Sequence, residues 1–449
     1  MNPACPRRSF LKSLAGLPLI GAATSFNIHV RAAEANNPFA TDNPQITRAR
    51  DVALSVLKPT PKQLEHGFRL HNESLVFESY GFAPRFAIDG GVIAAAMKSG
   101  ASDEELIDLR EEMSMSRGAF NARERKEFLD AFRAAGVTCI FQNTGEEGND
   151  PMRLVKRLAH FTQATDHMRD DLFKAVKPDD IVAAKRDNRR CLYFTGNGVP
   201  LKHHFENTRD ELQLIRLFHQ LGIRMMHLTY NRRNLIGDGA GEPGDAGLSD
   251  FGHAVVAEMN RAGVIVDVAH SGWRTSHEAA NASKKPMVAS HTTCAGLYKH
   301  FRGKPDAVVK AICDTGGLIG ICMIPRFLGA NGDIGAFLDH IDYAVKKFGA
   351  EHVAIGPDIS YVSRYDPEER AKIPPRANGR SPLSLPGARW EHLWPADDYR
   401  PKPHATASLA WTNWPLFTVG MVQRGHSDET IRKILGENAL RVARANFAG

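Results

Sequence analysis

Three polar side chains that could do chemistry each stand shortly after an apolar run of the chain. The runs cover residues 225–228, 264–268 and 287–289, and the polar residues are Tyr230, His270 and His291. Imidazole nitrogens bind zinc and transfer protons, and a phenol donates hydrogen bonds. In parallel α/β barrels the site is built on the carboxyl ends of the strands. The spacing therefore predicts that these side chains share a catalytic or metal-binding site.

Short apolar runs alternate with helical segments along the chain, and these elements must position the three polar residues. Eight runs are predicted as strands: residues 75–77, 137–141, 192–194, 225–228, 264–268, 287–289, 318–323 and 353–355. Six segments are predicted as helices: residues 47–71, 123–135, 210–221, 305–315, 337–348 and 427–447. A further helix is predicted to open at Ser249 and to end at Gly263. Eight alternations of strand and helix predict an α/β fold, a (βα)8 TIM-type barrel.

The first 35 residues are predicted to form an export signal. Arg7 and Arg8 precede an apolar segment at residues 14–23, and small residues lead to a cleavage site at Ala35. This order is typical of a twin-arginine signal, and the apolar segment is too short to span a membrane. We therefore expect a periplasmic protein without a stable membrane anchor, whose residues 36–449 form a single domain.

Charge and composition narrow the class of partner. The net charge of +6 is spread over 449 residues without a basic stripe or tail, so nucleic acid is not expected as a partner. Residues 360–413 follow the last predicted strand and are rich in proline, arginine and tryptophan. We expect this insertion to lie near the barrel mouth, where it could form a lid.

Four longer stretches carry a resemblance to a known family. They read LGIRMMHLTYNRRN from Leu221, VIVDVAHSG from Val264, VASHTTCAGL from Val288 and HVAIGPD from His352. In order and spacing the chain resembles the membrane (renal) dipeptidase family, peptidase M19, over residues 70–447. The resemblance implies a barrel of the metallo-dependent hydrolase kind, a dipeptide substrate and a two-zinc centre, with a homodimer as one alternative for its assembly.

The resemblance also assigns roles to residues in the second half of the chain. It implies that His270 and His291 bind metal, that Asp358 transfers a proton, and that Arg302 holds the substrate carboxylate. Tyr230 stands where the best-known members have histidine, and its phenol could bind substrate and stabilise an oxyanion. The alternatives are structural histidines, a turn residue at Asp358, and an ion pair between Arg302 and Asp306.

The first half of the chain departs from the family pattern. Where the family reads Asp-Gly-His-Asn-Asp, residues 78–82 read ESYGF, so Tyr80 and Phe82 replace two metal ligands. Asn197 replaces the bridging glutamate, and a neutral amide oxygen is a weak zinc ligand. One zinc ion at most is therefore expected, and a site without metal stays an alternative. Candidates for a third ligand beside the two histidines are Asp358 and, less favoured, Glu146, Glu147, His203 and His204.

Two functions follow from this pattern. The first is an exported dipeptidase-like metallohydrolase that cleaves a dipeptide or related small amide with a metal-activated water. The second is a catalytically inactive homologue that binds a small carboxylate or peptide. The retained residues His270, His291 and Asp358 favour the enzyme, whereas the aromatic residues Tyr80 and Phe82 favour the binding protein.

Overall fold

The computed structural model describes residues 37–145, 148–204, 207–376, 383, 393–400 and 402–447. The predicted export signal, Glu146 and Glu147, and most of residues 377–392 lie outside the described residues. Among the helices that the structure describes, none has both the length and the apolar character needed to cross a bilayer.

A sheet of parallel strands forms the centre of the molecule. The strands are β1 Phe77–Gly81, β2 Cys139–Asn143, β3 Leu172–Ala175, β4 Arg190–Gly196, β5 Met225–His227, β6 Ile265–Asp267, β7 Val288–Thr292, β8 Leu318–Ile321 and β9 Val353–Ile355. Eight of them follow one another in the order β1-β2-β4-β5-β6-β7-β8-β9, and β3 pairs with β4 outside this path. Because β1 also lies against β9, the eight strands form a nearly closed parallel barrel. The predicted (βα)8 class is confirmed.

Helices surround the barrel on its outer side. They are α1 Pro44–Leu57, α2 Pro61–Glu73, α3 Gly90–Lys98, α4 Asp103–Ser116, α5 Ala122–Ala135, α6 Pro151–His167, α7 Pro178–Arg186, α8 Thr208–Gln220, α9 Asp250–Ala262, α10 Trp273–Ala282, α11 Asp306–Asp314, α12 Pro325–Leu328, α13 Ile334–Phe348, α14 Asp366–Arg370, α15 Pro403–Ser408, α16 Trp414–Gln423, α17 Asp428–Arg432 and α18 Asn438–Asn446. Ser249 caps α9 by accepting a hydrogen bond from the Gly252 amide, and Gly263 ends that helix with a φ of 82°. The predicted bounds of α9 are confirmed.

Three predicted elements differ from the structure. The single helix predicted at residues 47–71 is two helices, because Lys58 turns left-handed with a φ of 49° and Thr60 caps a second helix that begins at Pro61. The helix predicted at 427–447 is interrupted by a π-helical turn at Lys433–Glu437. Strand β1 runs to Gly81 rather than ending at Phe77, because buried polar residues continue the strand beyond the apolar run.

The inside of the barrel begins with a buried layer to which all eight strands contribute. Its members are Phe77, Cys139, Cys191, Met225, Ile265, Val288, Leu318 and Ala354, and they belong to one cluster. Side chains on a strand alternate between its two faces, so positions two residues further along β5 and β6 form the next inward layer. These positions hold His227 and Asp267, which are direct partners in the register of the two strands.

Candidate active site at the barrel mouth

A cavity of about 280 Å³ opens at the carboxyl ends of the strands. Six residues singled out from the sequence line it: Tyr80, Phe82, Asn197, Tyr230, His270 and Asp358. Ile324, Arg326, Phe327 and Trp394 complete the described lining. His291 and Arg302 are absent from that lining and are fully buried. His203 and His204, considered as further ligands, are also not among the described lining residues.

The described part of the segment 360–413 reaches this cavity. Trp394 stacks on Phe327 with ring centroids 5.9 Å apart, and lies 6.5 Å from the His270 ring. Arg232 Nε donates a hydrogen bond of 2.9 Å to the carbonyl oxygen of Leu393. These contacts place Trp394 over one side of the mouth.

Tyr80 closes the floor of the cavity. Its ring stacks on the His291 ring at 4.0 Å with an angle of 20°, and lies 5.2 Å from the His227 ring. Asn143 Nδ2 donates a hydrogen bond of 2.8 Å to the Tyr80 hydroxyl. The strand pairing is irregular between Glu78 and Gly81, and such irregularities redirect side chains near active sites. An aromatic ring therefore fills the space beside His291 where the resemblance expected a metal ligand.

Behind this floor lies a cluster of three buried side chains, His227, Asp267 and His291, whose potential ligand atoms are all within 4.8 Å of one another. His227 Nε2 is 2.6 Å from Asp267 Oδ2. The Ser290 hydroxyl donates a short hydrogen bond to Asp267 and lies 2.9 Å from His291 Nδ1. His291 Nε2 is buried without a hydrogen-bond partner among the residues that the structure describes.

The electrostatics of the cluster favour an ionised Asp267 and a neutral His291 imidazole. Burial alone would raise the pKa of Asp267, but the charge and hydrogen bond of His227 and the bonds from Ser290 hold it below its ordinary value. Burial, reinforced by the cations Arg302 and Lys304, holds the pKa of His291 well below its usual range. A neutral imidazole keeps a lone pair for a metal ion or a proton.

His270 is engaged at both ring nitrogens. Nδ1 lies 3.0 Å from Asn231 Oδ1, and Nε2 lies 3.2 Å from an Arg302 nitrogen. Because a guanidinium only donates, Nε2 must accept and Nδ1 must carry the proton. Tyr230 stacks on the same ring at 4.1 Å. His270 thus lines the cavity with its two nitrogen atoms already in use.

Arg302 lies behind His270 instead of facing the cavity. Its guanidinium donates a short hydrogen bond to the Ala269 carbonyl and a longer one of 3.4 Å to that of His291. The pairing with Asp306 that the sequence left open does not occur, since Asp306 is bonded to Tyr343 and Lys347. Because the Arg302 side chain is buried behind His270, it does not face a substrate in the cavity, which is the contact that the resemblance implied. Among the described lining residues, the cation is Arg326.

Asp358 lines the cavity just past β9 with a left-handed φ of 58°. This conformation is uncommon for a residue with a side chain and often accompanies functional constraint. The resemblance assigned Asp358 a role in proton transfer, and the structure brings it to the same cavity as Tyr230 and His270.

Sequence reasoning missed His227 and Asp267. Both lie inside runs that were classed as apolar, one residue before the end of each run. The available signal was alternation: Met225 and His227 share one face of β5, and Ile265 and Asp267 share one face of β6. Polar residues at inward positions of buried strands are candidates for chemistry because burying them without a partner is costly.

Comparison with known proteins shows the family of this chain. A profile of the membrane dipeptidase family, peptidase family M19, matches residues 103–365. The chain belongs to this family. Dipeptidase tcpJ of Claviceps purpurea is 27% identical over 280 residues, 61% of this chain and 55% of that protein. In three curated dipeptidases, the part that this chain matches makes up between 37% and 55% of the length of the relative.

Solved structures share the fold of this chain. An amidohydrolase from Pseudomonas aeruginosa is 25% identical with a TM-score of 0.62, covering 85% of this chain and 98% of its own. A metallopeptidase from Rhodobacter sphaeroides, liganded with a phosphinate mimic of L-Ala-D-Ala, shares the fold at 15% identity and a TM-score of 0.57, covering 84% of this chain and all of its own.

The M19 family is metal-dependent, but the residues of this member do not fit a two-metal centre. Tyr80, Phe82 and Asn197 offer neither carboxylate nor imidazole, and His270 has no free nitrogen. One ion fits better, because the cluster supplies two imidazoles and a carboxylate, the three protein ligands of a catalytic zinc. The buried, unbonded Nε2 of His291 is consistent with such a site.

Proposed function

We propose that this protein is a dipeptidase-like metallohydrolase that acts on a dipeptide or related small amide with at most one metal ion. The observation that carries the proposal is the convergence of Tyr230, His270 and Asp358 on one cavity, directly in front of a three-donor cluster. His227, Asp267 and His291 would hold the ion, in place of the pair His270 and His291 expected from the resemblance. A zinc ion there supplies Lewis acidity and lowers the pKa of a bound water.

The residues of the cavity have separable tasks in this proposal. Arg326 provides a positive charge for the substrate carboxylate, since it lines the cavity and its ion pair with Asp397 at 3.2 Å leaves it 38% exposed. Tyr230, held by its stacking on His270, donates a hydrogen bond to the amide oxygen. Asp358 takes up the proton that the attacking water loses and returns it to the leaving amine.

The ring nitrogens of His270 are not available for proton transfer while Arg302 and Asn231 hold them. The pKa of His270 lies well below its usual range because of burial, with Arg302 and His291 adding to the effect. We therefore assign His270 a positioning role, in which its fixed ring orients Tyr230. Arg302 acts through His270 in the same way.

A second candidate, a binding protein without catalysis, is favoured by one observation. Tyr80 and His270 line the cavity and also contact the cluster, so both rings lie between the cavity and the proposed metal donors. Hydrolysis requires that Tyr80 moves aside. A protein in which it never moves would bind dipeptides without cleaving them.

The deciding experiment measures metal content, turnover and binding on the same natively exported protein. We expect at most one zinc per chain, slow hydrolysis of L-Ala-D-Ala, and loss of both metal and hydrolysis in His227→Ala. His270→Ala, the matched control, should keep the metal because its nitrogens are not ligands. Two firmly bound ions per chain, or metal lost in His270→Ala alone, would contradict the assignment.

Calorimetry separates the two candidates. A binding protein takes up L-Ala-D-Ala with unchanged affinity in His227→Ala, while the parent shows no turnover by chromatography. Arg326→Gln should weaken dipeptide binding about tenfold, because it removes the cation that faces the substrate carboxylate. An unchanged affinity would exclude Arg326 as the carboxylate ligand.

The place of action that we propose is the periplasm, because residues 1–35 carry the twin-arginine pattern. A fusion of these residues to a fluorescent reporter should reach the periplasm only in cells with an intact twin-arginine translocase. Export through the general secretory route would contradict the proposal.

A further inference from the structure

A second cavity of about 300 Å³ lies beside the mouth, between the ends of β1 and β2 and helices α4, α6 and α14. Phe82 lines both cavities. Asn143, which lines the second, donates its hydrogen bond to Tyr80 of the first. The two spaces are therefore neighbours separated by the segment that follows β1.

The second cavity combines two kinds of surface. One side is apolar and includes Met115, Phe128, Phe161, Met168 and Leu192. The described lining also holds five arginines but only two carboxylates: Arg85, Arg110, Arg153, Arg157 and Arg370, with Glu111 and Asp366. Its volume lies at the small end of the range for small-molecule sites.

The guanidinium groups crowd one carboxylate. Arg153 bonds Glu111 at 2.6 Å, while Arg110 and Arg157 approach the same carboxylate only to 3.8 Å. Arg157 is 7% exposed, and its Nε is buried without a hydrogen-bond partner among the described residues. A buried cation with incomplete hydrogen bonding is unfavourable unless an anion offsets it.

We propose that this cavity binds a small carboxylate with an apolar body, such as a medium-chain fatty acid. The guanidinium groups of Arg110 and Arg157 receive the carboxylate in the planar, bidentate geometry that arginine favours. The apolar wall buries the hydrocarbon part of the ligand, which removes its apolar surface from water. The site is separate from the proposed catalytic cavity, and its ligand is not the substrate.

The test uses octanoate and octan-1-ol as matched probes in calorimetry with the full mature chain. Octanoate should bind at least tenfold more tightly than the alcohol. Arg157→Gln and Arg110→Gln should reduce octanoate affinity to that of the alcohol, while the alcohol binds all variants equally. Equal binding of the two probes to the parent, or no binding of either, overturns the proposal.

Two further variants locate the site and control for folding. Arg326→Gln changes only the mouth cavity and should leave octanoate affinity unchanged, and a loss there would assign the binding to the mouth instead. Arg370→Gln, at the more exposed rim, should weaken octanoate binding and keep the native melting temperature. Octanoate affinity that stays at the parent value in both Arg110→Gln and Arg370→Gln would refute the assignment even if Arg157→Gln failed to fold.

Discussion

The two halves of the barrel differ in what their strand ends carry. The ends of β1, β2 and β4 present Tyr80, Asn143 and Asn197, which are neutral. The ends of the later strands present titratable side chains, namely His227, Asp267, His270, His291 and Asp358. The difference shows that potential metal donors are divided by region: the first half of the mouth presents a phenol and amides, while the second half presents imidazoles and carboxylates.

The carboxylate within strand β1 is consistent with this contrast. Glu78 lies on β1 but turns away from the mouth, and its Oε1 accepts hydrogen bonds from the indoles of Trp411 and Trp414. Burial raises the pKa of Glu78 well above its ordinary value, although both indoles oppose the shift. A carboxylate in this position supports packing and is not available to a ligand in the cavity.

The largest expected effect comes from restoring the first half. The combined substitution of Tyr80→His, Phe82→Asp and Asn197→Glu returns imidazole and carboxylate groups to the mouth. We expect two zinc ions per chain by elemental analysis, and faster dipeptide hydrolysis than in the parent. A triple variant that folds and still binds no more metal than the parent would show that the engaged nitrogens of His270 alone prevent the second ion.

Tyr80→Ala removes the ring that lies between the cavity and the cluster of His227, Asp267 and His291. Deleting a fully buried aromatic side chain should lower the free energy of unfolding by about 3 to 5 kcal/mol, measured by urea denaturation. It should also speed cobalt uptake by the cluster, followed by absorbance. Tyr80→Phe is the control, since it keeps the ring and loses the hydrogen bond from Asn143, which should cost about 1 kcal/mol. Equal uptake rates in all three proteins would mean that Tyr80 does not cover the cluster.

A third comparison concerns a histidine outside the site. In α2, His71 is hydrogen-bonded to the Ala135 carbonyl and the Thr418 hydroxyl. Burial lowers the pKa of His71 to about 3. The unfolded chain takes up this proton near pH 6.5 and the native chain does not, so stability falls as the pH drops between these values.

We expect this loss to reach roughly 3 kcal/mol at pH 4, at 1.36 kcal/mol for each pH unit. His71→Gln cannot be protonated, so its unfolding free energy should fall less steeply between pH 6.5 and pH 4 than that of the parent. Parallel stability curves for the two proteins would disprove the contribution of His71.

The smallest effect is expected for Glu78→Gln. The side chain keeps its acceptor for the two indoles, so the unfolding free energy at pH 5 should stay within about 1 kcal/mol of the parent. Because the native pKa of Glu78 is raised, the parent loses stability as the pH rises above the ordinary carboxyl value, and the variant does not. If the parent instead gained stability relative to the variant as the pH rises, the native pKa of Glu78 would be lowered and the prediction would be wrong.

The sequence by itself determined the class of fold. Short apolar runs must be buried, and amphipathic segments that end at glycines, such as Gly136 and Gly263, must pack around them. It also determined which ligand types are present, since Tyr80, Phe82 and Asn197 cannot supply what the family uses. The positions of Tyr230 and His270 after their strands were enough to place them at one mouth, and the family resemblance added Asp358.

Only the tertiary structure decided which donors face one another. His227 and Asp267 meet because β5 and β6 pair in a register that brings them side by side. The pairing of β7 with β8 is irregular between Ala289 and Thr292, and there His291 turns inward. Register and such irregularities depend on contacts between strands that are distant in sequence, so local residue patterns do not encode them. For the same reason the sequence alone did not show that Arg302 lies behind His270.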